Sequence, residues 1–302
     1  MKKKTYLFAL MAMVLTLGSC SDNENGIGGE TSKYITVSTS IGNMTRVATD
    51  EKGGQTFEEG DEISVYAWTG DATVAPETRE RVVNNAINKL TNGSWVSTPQ
   101  MLWKNNRDKH YFIGVYPTAA ISDLTAGEYT FDANKQTESD LLVAVNPDGL
   151  SYNVDEPQTV PLTFTHVMAK LVVNLTYKNQ WGGIPTVEKV VVGNAAKEAT
   201  VNYLTKVVTP SAVAEDKADF DMPVLTANKK YASIIIPQDG VQKITITIGG
   251  KDFIYDNSTP FKLESGKITT VNLEVGRDEI KLGDVKITNW EDGSTFSGEA
   301  LN

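Results

Sequence analysis

The sequence has 302 residues, a formal net charge of -10, and 40% hydrophobic and 22% charged residues, the composition of an ordinary globular protein. This composition excludes a disordered chain, a collagen-like chain and a membrane protein with many spans. The acidic balance, with five arginines in the whole chain, argues against nucleic acid as a partner. Two histidines and one cysteine exclude the common zinc and iron–sulfur ligand sets, so we expect neither a metal nor a cofactor.

The first residues predict an export signal that ends at a lipid attachment site. Three lysines precede the apolar stretch Tyr6–Leu17, which is too short to anchor a chain stably across a bilayer. The segment Leu17-Gly18-Ser19-Cys20 is similar to the lipobox of bacterial lipoproteins. We therefore expect residues 1–19 to be removed and Cys20 to hold the protein in the outer membrane through its lipid.

Residues 20–31 are polar and glycine-rich, which is typical of a flexible tether. Asp22 and Glu24 also resemble the surface-export signal of Bacteroidetes lipoproteins. Without the three lysines of the signal the chain is more acidic still, so the body should be repelled by an anionic membrane surface. These features predict a lipid-anchored body that stands away from the bilayer on the outside of the cell.

From Ser32 onward the chain shows short runs of alternating or β-branched residues separated by turn residues, the period-two pattern of half-buried strands. In the first run, the alternating residues are Ile35, Val37, Thr39 and Ile41. The other candidate strands are Glu62 to Trp68, Tyr111 to Tyr116, Leu141 to Val145, Leu171 to Tyr177, Lys189 to Val192, Ala232 to Ile236, Ile244 to Ile248, Thr269 to Val275 and Val285 to Ile287. The pattern predicts an all-β protein built as sandwiches.

One helix is expected within this body, over Glu77 to Leu90, because its apolar residues approximate a helical stripe and Pro76 precedes it. A domain boundary is expected near the polar, proline-containing stretch Asp155-Glu156-Pro157. It divides the body into residues 32–157 and residues 158–302.

Four segments together resemble the fimbrillin (Mfa-like) family of Bacteroidales pilus proteins. They are the lipobox, Thr56–Trp68 (TFEEGDEISVYAW), Leu162–Leu171 (LTFTHVMAKL) and Ile287–Trp290 (ITNW). The resemblance covers nearly the full length. It implies a lipoprotein precursor of two tandem transthyretin-like Greek-key β-sandwich domains, which becomes a pilin subunit of a surface fimbrium with a role in adhesion.

The resemblance also implies processing by an arginine-specific protease after the first strand, and the matching position is Arg46. The removable first strand would then lie within residues 33–46. A sandwich that has lost one strand exposes unpaired backbone groups along an apolar groove, and such an edge recruits a strand from another chain. We therefore expect other pilin subunits as partners in a head-to-tail polymer, while any receptor is unknown.

The carboxyl end, residues 278–302, is the candidate donor strand. Ile280 and Leu282 form one apolar row, and Val285 and Ile287 resume it after Gly283-Asp284. This interruption is either a bulge or a turn between two short strands. If the tail is donated the protein is a stalk subunit, and if it packs in its own domain the protein is a tip subunit.

No catalytic constellation is evident, and no enzyme activity is expected. His166 lies in a strand-like run, where a hydrogen-bonded structural role is expected, and His110 has no evident partner in the sequence. The alternative function is a surface glycan-binding lipoprotein, whose sugar-binding face would use the five tryptophans. They are Trp68, Trp95, Trp103, Trp181 and Trp290.

Overall fold

The computed structural model describes residues 33–42, 57–136, 138–156 and 158–290. The first ten strands in these segments are β1 (Thr36–Ile41), β2 (Glu62–Thr69), β3 (Val83–Thr91), β4 (Ser94–Thr98), β5 (His110–Tyr116), β6 (Gly127–Thr130), β7 (Leu142–Leu150), β8 (Thr159–His166), β9 (Ala169–Tyr177) and β10 (Val187–Ala196). The next nine are β11 (Glu198–Asn202), β12 (Val207–Pro210), β13 (Lys217–Asp221), β14 (Val224–Thr226), β15 (Lys230–Ile235), β16 (Gln238–Ile248), β17 (Lys251–Leu263), β18 (Lys267–Val275) and β19 (Ile280–Asn289). The all-β prediction is confirmed.

The strands form four sheets. The first sheet has seven strands in the order β1-β8-β7-β5-β2-β3-β4. A five-stranded sheet follows the order β14-β15-β9-β18-β19, a four-stranded sheet the order β13-β10-β16-β17, and a three-stranded sheet the order β12-β11-β6. Strand β6, which comes from the first half of the chain, therefore pairs with β11 from the second half.

The first sheet buries apolar side chains on both faces, because successive residues of a strand point to opposite sides. One face contributes Tyr66, Trp68, Ile113 and Val115 to a central core that continues into the other three sheets. The opposite face builds a separate cluster, called here the β1 core. Its members are Ile35, Val37, Phe57, Ile63, Val65, Ala67, Val83, Ala86, Met101, Trp103, Phe112, Leu142, Ala144, Val160, Leu162 and Phe164.

The helix expected over Glu77 to Leu90 is wrong. Only Thr78–Glu80 is helical, as a single 3₁₀ turn, and the rest of the stripe lies in β3. Asn85 has a φ of 54°, and the register with β2 shifts between Val65 and Ala67. This bulge brings Val83 and Ala86 to the same face at a spacing of three residues, which imitates a helical repeat. No helix in the described residues is long and apolar enough to span a bilayer.

The first sheet continues past the boundary expected at residue 157. Strand β8 pairs antiparallel with β7 and parallel with β1, so Thr159–His166 lies inside the first sheet. The first strand in chain order of the five-stranded sheet is β9, which is separated from β8 by only two residues. The division of the body into two domains stays a prediction.

Stability at alkaline pH should depend on Tyr203, which is 2% exposed beside Gly127. Burial raises its pKa from 10.0 to about 12. The unfolded chain therefore loses this proton first, and the free energy of unfolding should fall by up to about 1.4 kcal/mol per pH unit from this group between those values. Tyr203→Phe should flatten this decline in urea unfolding measured across the interval. Parallel pH profiles for the wild type and the variant would contradict the assignment.

Candidate functional site

Strand β1 occupies an edge of the first sheet and runs parallel to β8. Val37 is the partner of Val160, Thr39 of Leu162 and Ile41 of Phe164, without any shift in register. Ile35 and Val37 are buried, while Thr36, Ser38 and Ser40 are exposed. The alternation predicted for the first strand is therefore observed, with its apolar row turned toward the β1 core.

The other side of β1 approaches β4 and the segment that follows β4, so the first sheet curls until its two edges meet. The Ile35 N–H donates to the Met101 carbonyl at 2.9 Å, and the Trp103 N–H donates to the Lys33 carbonyl at 3.2 Å. Further along, the Trp95 indole N–H donates to the Thr39 hydroxyl at 3.0 Å. We call this junction the seam.

Beside the seam lies an open groove with a volume of about 730 Å³. It is lined by the whole of β1 together with Phe57, Leu90 and Trp95, among others. Phe57 packs edge-to-face against Trp95 at 5.3 Å and against Phe164 at 5.1 Å between ring centroids. The groove is lined by both apolar and hydroxyl-bearing side chains, and β1 forms one wall of it, so it offers room beside β1 for an extended segment of chain.

Two predicted processing positions, Cys20 and Arg46, lie outside the described residues. The structure describes the chain up to Gly42, whose N–H donates to the Phe164 carbonyl at 2.9 Å at the end of β1. It resumes at Phe57, which packs under β1 in the β1 core.

The candidate donor residues lie in β19, an edge strand that pairs antiparallel with β18. Leu282, Val285 and Ile287 are 39%, 41% and 38% exposed. The interruption at Gly283-Asp284 is a bulge within one strand, because the register shifts between Val271 and Leu273 of β18. The bulge keeps Ile280 and Leu282 on the same face as Val285 and Ile287.

His166 lies at the end of β8 in a buried polar cluster. Its Nδ1 is 2.8 Å from Asp140 Oδ1, and its ring stacks on Trp290 at 4.1 Å with an interplanar angle of 8°. Lys170 approaches the same indole ring to within 5.9 Å, and burial lowers the pKa of this lysine while the Asp140 charge opposes that shift. The expected structural, hydrogen-bonded role of His166 agrees with this geometry, although its partners were not identifiable from the sequence.

His110, for which the sequence indicated no partner, has partners in the structure. Its Nε2 accepts the Lys104 N–H at 3.1 Å, and its ring packs edge-to-face on Trp103 at 4.9 Å. Burial lowers the pKa of His110, so the neutral imidazole that can accept this bond is favoured. The residue fixes the turn before β5.

The tryptophans do not form an exposed face for sugar stacking. Trp68, Trp103 and Trp290 are buried, and Trp95 and Trp181 are half-buried. The Trp181 indole N–H donates to the Val275 carbonyl at 2.9 Å, and its ring packs on Phe253. Within the described segments, no three His, Cys, Asp or Glu side chains lie close enough together to hold a metal ion.

A family model described as fimbrillin-like matches residues 45–290, which include most of the first sheet and all of the other three. The chain belongs to this fimbrillin-like family. A putative fimbrium subunit, Fim1C of Bacteroides uniformis, is 25% identical over 97% of both chains. The solved structures similar to this fimbrillin-like chain include cell adhesion and fimbrial proteins.

Solved structures share the fold of the fimbrillin-like chain. A putative cell adhesion protein from Bacteroides ovatus superposes with a TM-score of 0.64 at 17% identity, covering 85% of this chain and 98% of that one. The tip fimbrial protein Mfa3 of Porphyromonas gingivalis, with a C-terminal truncation, superposes with a TM-score of 0.50 at 12% identity, covering 85% and 99%. At these identities the likeness establishes the fold.

Proposed function

We propose that this fimbrillin-like chain is a structural subunit of a cell-surface fimbrium that is made as a lipoprotein, lipidated at Cys20 and activated by cleavage after Arg46. An arginine-specific protease hydrolyses the peptide bond that follows Arg46. The released piece carries Cys20 and β1, so one cut both separates the body from its lipid and opens the β1 core. Another pilin subunit then inserts a strand beside β8. The resulting polymer serves adhesion outside the cell.

The observation that carries this proposal is the position of β1. It is the first strand of the described residues, it lies at a sheet edge, and its inward side chains fill part of the β1 core. Burial of Ile35 and Val37 contributes about 1.5–3 kcal/mol each, so their loss leaves an apolar trough in contact with water. Unpaired N–H and C=O groups of β8 border that trough, and an incoming strand satisfies both requirements together.

Cleavage should allow the first strand to be exchanged, and a labelled peptide tests this directly. For this experiment, the exposed arginines Arg79, Arg107 and Arg277 of the full chain are replaced with lysine. An arginine-specific protease then tests cleavage at Arg46. A fluorescent peptide with the sequence of residues 33–46 should enter the protease-treated chain, because the cut turns an intramolecular strand into a dissociable one. Arg46→Ala should take up no peptide. Fluorescence anisotropy measures both.

The matched control peptide carries Val37→Asp, which places a carboxylate in the apolar trough. Its affinity should be at least about 100-fold weaker, because a buried charge without a partner is costly. Equal binding of the two peptides, or equal uptake by the cut chain and by Arg46→Ala, contradicts strand insertion at this groove.

A further inference from the structure

Strand β19 is held at its beginning by the turn that connects it to β18 and by a salt bridge to a residue next to β9. Lys178, directly after β9, forms a salt bridge with Glu279, directly before β19. This pairing lowers the pKa of Glu279 and raises that of Lys178. The Gly276 N–H donates to the Glu279 carbonyl at 2.8 Å, which closes the turn between β18 and β19.

The middle of β19 is fitted to β18 by its bulge. Leu282 is the partner of Leu273 and Val285 is the partner of Val271, so three residues of β19 span the distance of two on β18. The Asn272 side-chain amide donates to the Asp284 carbonyl at 2.9 Å and so binds the bulge. The four apolar residues of β19 share one face only because this bulge is present.

Directly after β19, the chain is buried between β8 and the turn before β18. Trp290 is 0% exposed, stacks on His166, and donates its backbone N–H to the Gly266 carbonyl at 3.0 Å. His166 is in turn bonded to Asp140. Withdrawal of β19 would expose this indole ring and open the space beside a buried His–Asp pair.

The row required in place of β1 has a different phase. Ile35, Val37, Thr39 and Ile41 follow a strict spacing of two residues against an unshifted β8. A strand with the β19 spacing would turn half of its apolar row outward there, because a slip of one residue reverses the face of every side chain. Residues 291–302 (EDGSTFSGEALN) contain no row of four apolar residues at that spacing either.

We propose that β19 remains in its own sheet, fastened by Glu279, the bulge and Trp290, and that within residues 33–302 this chain accepts a strand but supplies none. This inference rests on the proposed function and deepens it, because it gives the subunit a single strand-exchange partner and a terminal place in the polymer. The exposed apolar side chains of β19 then belong to an ordinary sheet edge.

A disulfide across β18 and β19 tests this proposal. Thr270 and Lys286 are directly paired across the two strands. Cysteines at both positions, in the full chain with Cys20→Ser, form the only thiol pair and fasten β19 when oxidised. After cleavage, the oxidised and reduced forms should both remain monomeric by light scattering. They should also take up the 33–46 peptide with affinities within about twofold.

The outcomes separate the two proposals. If the reduced form assembles into chains and the oxidised form does not, β19 is donated and the inference is overturned. If both forms assemble equally, the terminal place is overturned. If neither form takes up peptide, strand insertion fails as the function, and the retention of β19 is then decided by deuterium exchange of its amides in the uncut chain.

Trp290→Leu supplies that second measurement, because it keeps an apolar side chain but removes the stacked ring. Amides of β19 should exchange at least about tenfold faster in this variant than in the wild type. Trp103→Leu is the matched control, since Trp103 is a buried tryptophan of the β1 core and not of the central core that holds Trp290, and it should leave β19 exchange unchanged. Rapid exchange of β19 in the wild type, or equal effects of the two variants, overturns the proposal.

Discussion

Replacing Phe164 with alanine should lower the free energy of unfolding by about 3–5 kcal/mol, the cost of removing a fully buried aromatic ring without collapse of the cavity. Phe164 is 0% exposed at the centre of the β1 core, opposite Ile41 of β1. Its ring packs on Phe57 and against the backbone of Gly114. Guanidinium unfolding measures the change, and Ser38→Ala on the outer face of β1 is the near-neutral control.

Gly114 provides a test of this packing from the other side. A Cβ at Gly114 would lie 2.6 Å from Phe164 Cζ, so Gly114→Ala should cost about 1–3 kcal/mol through overpacking. Combined with Phe164→Leu, the same alanine should cost clearly less, since the atom that it strikes is gone. Additive costs in the double variant would show that the close approach is not what restricts position 114 to glycine.

Asp140→Ala should lower the free energy of unfolding by about 3 kcal/mol, because the buried Nδ1 atom of His166 loses its hydrogen-bond partner. The side chain of His166 is 0% exposed and that of Asp140 is 3% exposed, and His166 Nδ1 lies 2.8 Å from Asp140 Oδ1. Asp140 also provides the negative charge that opposes the burial-induced lowering of the Lys170 pKa. Asp140→Ala should therefore combine the loss of a hydrogen bond with the loss of an ionic partner, as measured by urea unfolding at neutral pH.

The matched variant is Asp140→Ala combined with His166→Phe. Phenylalanine keeps a ring to stack on Trp290 but has no nitrogen that needs a partner, so the double variant should be more stable than Asp140→Ala alone. If the double variant is instead less stable by the sum of the two single changes, the pair is not a coupled unit.

The sequence predicted the strands where alternation is regular, and failed where a bulge interrupts it. Three of the predicted segments lie in strands, because their apolar residues form long, regular runs. They are Glu62 to Trp68, Tyr111 to Tyr116 and Thr269 to Val275. In β3, the bulge at Asn85 produces a spacing of three between inward residues, which alternation alone cannot distinguish from a helix. A positive φ at asparagine carries only a weak signal in a single sequence.

The first strand of the candidate site could be predicted, but its surroundings could not. The inward row of β1 is visible in residues 35–41, whereas the seam depends on Met101 and Trp103, which follow a short strand without clear alternation. Asp140, His166 and Trp290 are far apart in the chain, and contacts between such distant residues cannot be predicted from a single sequence. Long-range pairing of this kind follows only from the order of strands in the sheets.

The apolar side chains are separated into two clusters, which should unfold independently once β1 is lost. No residue of β1 belongs to the central core, and every buried residue of β1 belongs to the β1 core. Loss of β1 therefore weakens one foldon and leaves the other complete, so the cut chain should melt in two calorimetric transitions where the intact chain melts in one. Under the proposed function, the cleaved protein would then persist as a folded body with one open side until another subunit inserts its strand.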